Sequence, residues 1–229
     1  MADTPPPLPI NTDFAPQTGH LVTIMPGVAR FTAPNAGPYT FTGTNSFLIG
    51  VGERVAVLDP GPDDERHRAA LRTAIGGRKV EAILLTHTHK DHSAGVARLK
   101  AETGAPLWFA GPHRLSRKPY PFEINPLARD CDWSLVPDRT LAGGETFEAA
   151  GVPLTAIATP GHCANHLCFG LRGTEWMLSG DHVMGWNSTL VAVPDGSMSD
   201  YLNSLRKVVA LPYGSYLPAH GGPVADGPG

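Results

Sequence analysis

The residues most able to do chemistry stand together at His87-Thr88-His89-Lys90-Asp91-His92, four metal-ligating side chains within six positions. They follow an apolar run at 80–86 (VEAILLT) that reads as a buried strand. Alternate residues leaving a strand point the same way, so His87 and His89 can reach one metal ion. Asp91 and His92 fall where a helix is starting and point elsewhere. Six adjacent residues bend around a single four-coordinate ion only with strain, so the run reads as parts of two neighbouring metal sites. Three later segments repeat one plan: Thr159-Pro160-Gly161-His162, Ser179-Gly180-Asp181-His182 and Leu217-Pro218-Ala219-His220-Gly221-Gly222. Each ends a strand pattern in small or rigid turn residues and then places a metal-capable side chain. Ligands at strand ends along one rim of a sheet can converge on one centre.

The elements that must position them follow from periodicity and turn chemistry. Strands are predicted over 20–25, 28–32, 45–51 and 54–59, the last two forming a hairpin at Gly52-Glu53. A helix is predicted over 63–75, opened by acidic residues and closed by Gly76-Gly77, and another over 93–103 ending at Gly104. Strand patterns return at 145–149, 153–159, 166–171, 175–179 and 216–218. A last helix is predicted over 199–211, with Tyr201, Leu202, Leu205, Val208 and Val209 on its buried face. Strands thus fall in two blocks, each followed by helical segments. That pattern fits helices covering two packed sheets, an α/β four-layer arrangement. Residues 1–19 are expected to form a Pro-rich extended arm, and 20–229 a single domain. Between 111 and 137 five prolines, with Tyr120, Phe122 and Trp133 among them, break every pattern. Loops of this length in compact domains are usually functional or disordered, and this one is a candidate lid over the metals.

Composition narrows the partners. The 229 residues carry a net charge of −3, which argues against a general electrostatic grip on nucleic acid. The one small basic cluster, Arg114, Arg117 and Lys118 beside Tyr120 and Phe122, has the makings of a short single-strand contact, so nucleic acid is disfavoured without being excluded. No apolar run approaches the roughly 18 residues of a membrane span. The three cysteines, Cys131, Cys163 and Cys168, do not make a disulfide framework, and the N-terminus carries no secretion pattern, so a cytoplasmic setting is expected.

The ligand pattern resembles that of the metallo-β-lactamase superfamily. His87, His89, Asp91 and His92, preceded by Thr86, match its T-H-x-H-x-D-H motif, and His162, Asp181 and His220 match its three later metal motifs in order. The resemblance covers about residues 20–225 and implies an αββα four-layer sandwich. It implies that His87, His89 and His162 hold a first metal, that Asp91, His92 and His220 hold a second, and that Asp181 bridges them. Two Zn2+ per chain are implied, with Fe or Mn also suited to such donors. A water shared by two such ions is acidified towards a pKa of about 7, which makes a bridging hydroxide available as nucleophile. Asp91 is the implied catalytic residue, orienting the attacking water. Asp59 matches a family acid that supports the His loop, and His166, His182 and Trp186 are further candidates for support or for the pocket wall.

Within the superfamily, the bridging Asp181 is typical of the glyoxalase II-like and nuclease branches rather than of the best-known zinc β-lactamases. The stretch from Gly180 to Trp186, with Pro194-Asp195-Gly196 and Tyr201-Leu202 beyond it, looks most like the branch containing the beta-lactamase-like protein 2 endoribonuclease. That branch continues past its final His-Gly-Pro-Val motif into a small helical domain. Here only five residues follow His220-Gly221-Gly222-Pro223-Val224, so that extension is expected to be absent. The implied function is a dinuclear zinc hydrolase acting on a small ester, thioester, lactone or amide. The alternatives are a metal-dependent phosphodiesterase or endoribonuclease, and an iron-dependent persulfide dioxygenase.

Overall fold

The computed structural model describes residues 10–225. A mixed sheet of seven strands runs in order β1 (Leu21–Met25), β2 (Val28–Thr32), β3 (Asn45–Ile49), β4 (Arg54–Leu58), β5 (Lys79–Leu84), β6 (Leu107–Phe109) and β7 (Arg139–Thr140). β1 to β4 pair antiparallel and β4 to β7 parallel. Two crossovers carry the helices: α1 (Glu65–Ile75) joins β4 to β5, and α2 (Lys90–Ser93) with α3 (Val96–Thr103) joins β5 to β6. A second sheet follows, spatially ordered β12 (Ser215–Pro218), β11 (Trp176–Gly180), β10 (Leu167–Leu171), β9 (Val152–Ala158) and β8 (Thr146–Ala149). Its parallel pair, β11 with β12, is spanned by α4 (Met198–Val209).

Strand alternation sorts the side chains into three cores. Phe47, Ile49, Ala56, Leu58, Ala82 and Leu84 face Leu154, Ala156, Leu167, Phe169 and Leu178 between the sheets. Leu48, Val55, Val57 and Ile83 point the other way, onto Leu71 and Ile75 of α1 and Val96 and Leu99 of α3. Ile157, Cys168 and Met177 meet Val208 of α4 on the far side. The order is therefore helices, sheet, sheet, helix: the expected αββα sandwich.

α1 starts two residues after the predicted position 63 and ends where predicted, at Ile75. Asp64 caps it by accepting from the His67 amide, and Gly76 closes it in the left-handed region at φ 66°. Two expectations need correction. The predicted 93–103 helix is two pieces, because the chain turns at Ala94-Gly95 to press Gly95 against the Pro60 and Gly61 carbonyls. On α4 the inward stripe is Tyr201, Ser204, Leu205 and Val208, while Leu202 and Val209 are exposed. Two hydrophobic positions lie off the face that the 3.6-residue period buries.

The ends of the two sheets are laced at one rim. The buried Asn45 amide donates to the Pro218 and Gly221 carbonyls, and the Leu167 amide donates to the Thr86 carbonyl. The described part of the N-terminal arm packs beside this rim: the Asn11 amide donates to the Gly185 carbonyl, and Arg30 lies over the Phe14 ring.

Candidate metal centre

All seven residues singled out as ligands meet at this rim. His87 and His89 follow β5, His162 follows β9, Asp181 follows β11, His220 follows β12, and Asp91 and His92 belong to α2. In the first group, His87 Nε2 and His162 Nε2 lie 3.0 and 2.8 Å from His89 Nδ1. In the second, Asp91 Oδ2 lies 3.2 Å from His92 Nε2 and 3.3 Å from His220 Nε2. Asp181 faces both groups: Oδ2 is 3.5 Å from His162 Nε2, while Oδ1 is 3.5 Å from His92 Nε2 and 3.3 Å from His220 Nε2.

Hydrogen bonds on the outer side of each ring decide which nitrogen faces inward. The His162 Nδ1–H donates to the Leu190 carbonyl at 2.7 Å, and the His220 Nδ1–H donates to the Gly43 carbonyl at 3.3 Å. The His92 Nδ1–H donates to Asp59 Oδ2 at 3.0 Å. Asp59 also accepts from the Thr86 amide and hydroxyl, at 2.8 and 2.7 Å, which leaves Thr86 Oγ1 to accept from the His87 Nδ1–H at 2.9 Å. The His89 Nε2–H donates to Asp195 Oδ2 at 2.8 Å. Each of the five imidazoles thereby uses one nitrogen on its outer partner and turns the other to the centre.

These residues fit metal ions. Tetrahedral zinc with Zn–N of about 2.0–2.1 Å separates its nitrogens by about 3.3 Å, close to the spacing of the first group. Lone pairs facing one another across such distances repel unless a cation lies between them. His92 Nε2 and Asp181 Oδ1 are buried without a hydrogen-bond partner, as donors awaiting an acceptor ion would be. Electrostatics agree. Burial, then the neighbouring imidazoles His92, His89 and His162, hold His87 well below the usual histidine range. Burial, then His89, lowers His162 to about 4. In the second group burial opposes charge on His220, but Asp181 and Asp91 outweigh it and push it up to about 10. One side offers neutral nitrogens, and the carboxylate side draws in positive charge.

The centre opens into a cavity of about 430 Å³, whose wall includes Tyr39, Leu127, Met184, Trp186 and Leu190. Trp186 stacks on Phe41 with centroids 4.8 Å apart, as a wall residue should. His166 supports Asp181 from behind: its Nε2 accepts from the Asp181 amide at 3.1 Å, and its Nδ1–H is shared with Thr159 Oγ1 at 2.8 Å. His182 is a correction to the expected pocket wall. It is fully buried beside the Tyr201 ring, outside the cavity lining, with neither ring nitrogen hydrogen-bonded. The turn that aims Asp181 inward necessarily aims its neighbour away.

The 111–137 segment holds no helix or strand among its residues, but it is tied to the metal motif. The Lys90 amide donates to the Asp130 carbonyl, the Asp132 amide to the Thr88 carbonyl, and Lys90 Nζ to the Arg129 carbonyl. Leu127 and Asp130 contribute to the cavity wall. The basic cluster is largely consumed: Arg117 pairs with both Glu123 oxygens, and Arg114 bonds to the Ala164 carbonyl.

Sequence reasoning passed over four residues here. Thr44 donates to Asp91 Oδ2 at 3.2 Å, Asn45 laces the rim, and the buried Asp195 and His113 stand behind His89. His113, in Gly111-Pro112-His113 after β6, repeats the plan of strand end, rigid turn, then histidine, and was legible on that ground. Asp195 reads as a turn residue in Pro194-Asp195-Gly196.

An αββα sandwich with two donor groups bridged by one carboxylate at the rim of its sheets is the class that the fold and site define. The chain belongs to the metallo-beta-lactamase superfamily, whose profile matches residues 39–220. It is 31% identical over 202 residues to a beta-lactamase-like protein 2 homolog of Caenorhabditis elegans, covering 87% of this chain and 62% of that protein. It is 28% identical over 213 residues to an atrochrysone carboxyl ACP thioesterase of Aspergillus fumigatus, covering 90% of this chain and 59% of that protein. The chain thus spans about three fifths of the length of these relatives. Among solved structures, a metallo-beta-lactamase family protein from Thermus thermophilus superposes with a TM-score of 0.73 at 25% identity, over 89% of this chain and 76% of that one.

Proposed function

We propose that this protein is a dinuclear metal hydrolase of small acyl substrates, with thioesters and esters first among them. The observation that carries the reading is Asp181, whose two oxygens face the two donor groups. His87, His89 and His162 would hold one ion and Asp91, His92 and His220 the other. Five imidazoles and two carboxylates suit zinc, with iron or manganese as tolerated substitutes. When bound, a metal pair supplies Lewis acidity to a carbonyl and a water acidic enough to ionise near neutral pH.

The chain's own residues do the rest. The side chain of Asp91 is 29% exposed, the most open carboxylate of the centre, and its Oδ2 is held by the Thr44 hydroxyl. In this reading it would orient the attacking water. The cavity volume suits a small molecule, and its apolar wall of Tyr39, Leu127, Met184 and Trp186 suits an acyl or thioester arm. A relative named as a thioesterase, similar over 90% of this chain, supports the acyl reading. The consumption of Arg117 by Glu123 argues against a nucleic-acid substrate.

The test pairs elemental analysis with a panel of a thioester, an ester, a lactone, a β-lactam reporter and single-stranded RNA. About two zinc per chain with acyl turnover, lost to a chelator and restored by zinc or manganese, is the expected result. RNA cleavage without acyl turnover would replace the substrate class. Activity in metal-free protein would sink the metal mechanism.

A further inference from the structure

Behind the first donor group lies a chain of buried polar side chains. The Asn165 amide nitrogen donates to the Gly111 carbonyl at 3.0 Å and to Thr88 Oγ1 at 2.9 Å. Thr88 Oγ1 lies 2.8 Å from His113 Nδ1, and His113 Nε2 lies 2.8 Å from Asp195 Oδ1. The other oxygen of Asp195 takes the His89 Nε2–H. The direction of this chain is fixed at one end. Bound to a carbonyl, the Asn165 nitrogen must donate, so the Thr88 hydroxyl accepts from it and is free to give its own proton to His113 Nδ1. His113 Nε2 then carries a proton and lies beside Asp195 Oδ1 at ion-pair distance, off the line of a hydrogen bond. Asp195 is fully buried between two imidazoles, and it is part of none of the metal motifs.

The segment that bears Asp195 does more than hold one ring. Its first half, Trp186 to Leu190, lines the cavity, and the Leu190 carbonyl takes the His162 Nδ1–H. Its end is pinned where the Ser116 hydroxyl donates to the Pro194 and Gly196 carbonyls. Gly196 sits so close to Gly161 that a Cβ there would meet the Gly161 carbonyl oxygen at 2.4 Å. One loop thus supplies the acceptors that orient two of the three imidazoles in the first group.

The geometry points to Asp195 as the positioning residue of the first metal site, acting as the hydrogen-bond acceptor that keeps the His89 Nδ1 lone pair turned inward. This rests on the metal reading above. Such outer acceptors typically set metal affinity by about 10–100-fold. The His113–Thr88 arm adds a distinctive expectation. In Asp195→Asn the amide oxygen can still accept from His89, provided the new NH2 turns to His113. His113 can allow that by moving its proton to Nδ1, because Thr88 Oγ1 can accept as well as donate. The asparagine variant should therefore be mild and the alanine variant severe.

The experiment is Zn2+ titration of the chelator-stripped full chain against a competing chromophoric chelator, for wild type, Asp195→Ala and Asp195→Asn. Thermal unfolding of each metal-free form is measured alongside. Wild type should bind two ions. Asp195→Ala should weaken one of them about 10–100-fold, also in an Asp91→Ala background where the second site is already crippled. Asp195→Asn should recover most of that loss. If alanine fails to fold, Asp195→Leu keeps the branched shape without the acceptor. A purely structural Asp195 would lower the unfolding temperature of the metal-free protein and leave affinity alone, which would overturn the proposal. Equal weakening by Asn and Ala would overturn it too. A wild type that binds no Zn2+ would overturn the proposed function together with it, whereas two ions held equally by all three forms would overturn the Asp195 role alone.

Discussion

Asp59→Asn should separate stability from metal binding. Asp59 is 1% exposed, sits at φ 51°, and accepts from the Thr86 amide, the Thr86 hydroxyl and His92 Nδ1. Asparagine tolerates a left-handed backbone, so little strain is added. Its oxygen must face the Thr86 amide, because an NH2 there would meet another donor. The NH2 therefore faces Thr86 Oγ1 and His92 Nδ1, where protons already point. Relief requires His92 to give up its Nδ1 proton and carry it on Nε2, which closes the lone pair that a metal needs. It also lets Thr86 turn its hydroxyl proton to His87 Nδ1, closing His87 Nε2 in the same way. One atom exchanged thus spoils one ligand in each group. Replacing charge-assisted bonds of about 1.5–3 kcal/mol by neutral ones of about 1 kcal/mol predicts a stability loss of about 1–2 kcal/mol. For a chain of this size that is about 2–8 °C in unfolding midpoint. Metal affinity should fall by at least about 10–100-fold. Urea unfolding of the metal-free form and Zn2+ competition read the two effects separately. Wild-type affinity in a folded Asp59→Asn protein would refute the tautomer argument.

Three further outcomes are expected. Asp91→Ala should lower turnover by about 10²–10⁴-fold while circular dichroism stays native, since this partly exposed carboxylate carries little of the core; surviving activity would exclude its role with the nucleophilic water. Gly180→Ala should misplace Asp181 and destabilise the fold, because a Cβ there meets His166 Nε2 at 2.7 Å and Thr86 Cβ at 2.9 Å at φ 53°; an unchanged unfolding midpoint would contradict this. Cys168 should resist a thiol reagent at pH 8 until the protein is denatured, because burial pushes its pKa up to about 12 and a raised thiol pKa leaves no thiolate there; labelling of the native protein at that position would contradict it.

Much of the site was legible because its residues share one grammar of strand end, rigid turn and ligand. The apolar run before His87 and the glycines before His162 and Asp181 set direction as well as chemistry. The αββα order also followed from two strand blocks with interleaved helices. What escaped had no local signature. β6 and β7 have three and two residues and are held by neighbours rather than by pattern. The burial of Asp195 against His89 joins positions 106 residues apart. His182 was misread because a residue beside a ligand in sequence leaves a tight turn on the opposite side. The exposed Leu202 and Val209 show that apolar identity does not settle which stripe of a helix turns inward.

The lacing of Asn45 to Pro218 and Gly221 has a consequence for how the protein is born. Everything that orients the first group is encoded by Asp195, whereas the second lacks His220 until 25 further residues have been made. At about 5–20 residues per second, a ribosome takes about 1–5 s to cover that interval. Through it the residues of the first donor group and their outer acceptors are all present in the chain, while the second group still lacks His220. The last strand to arrive both seals the rim and brings His220 to complete the second donor group.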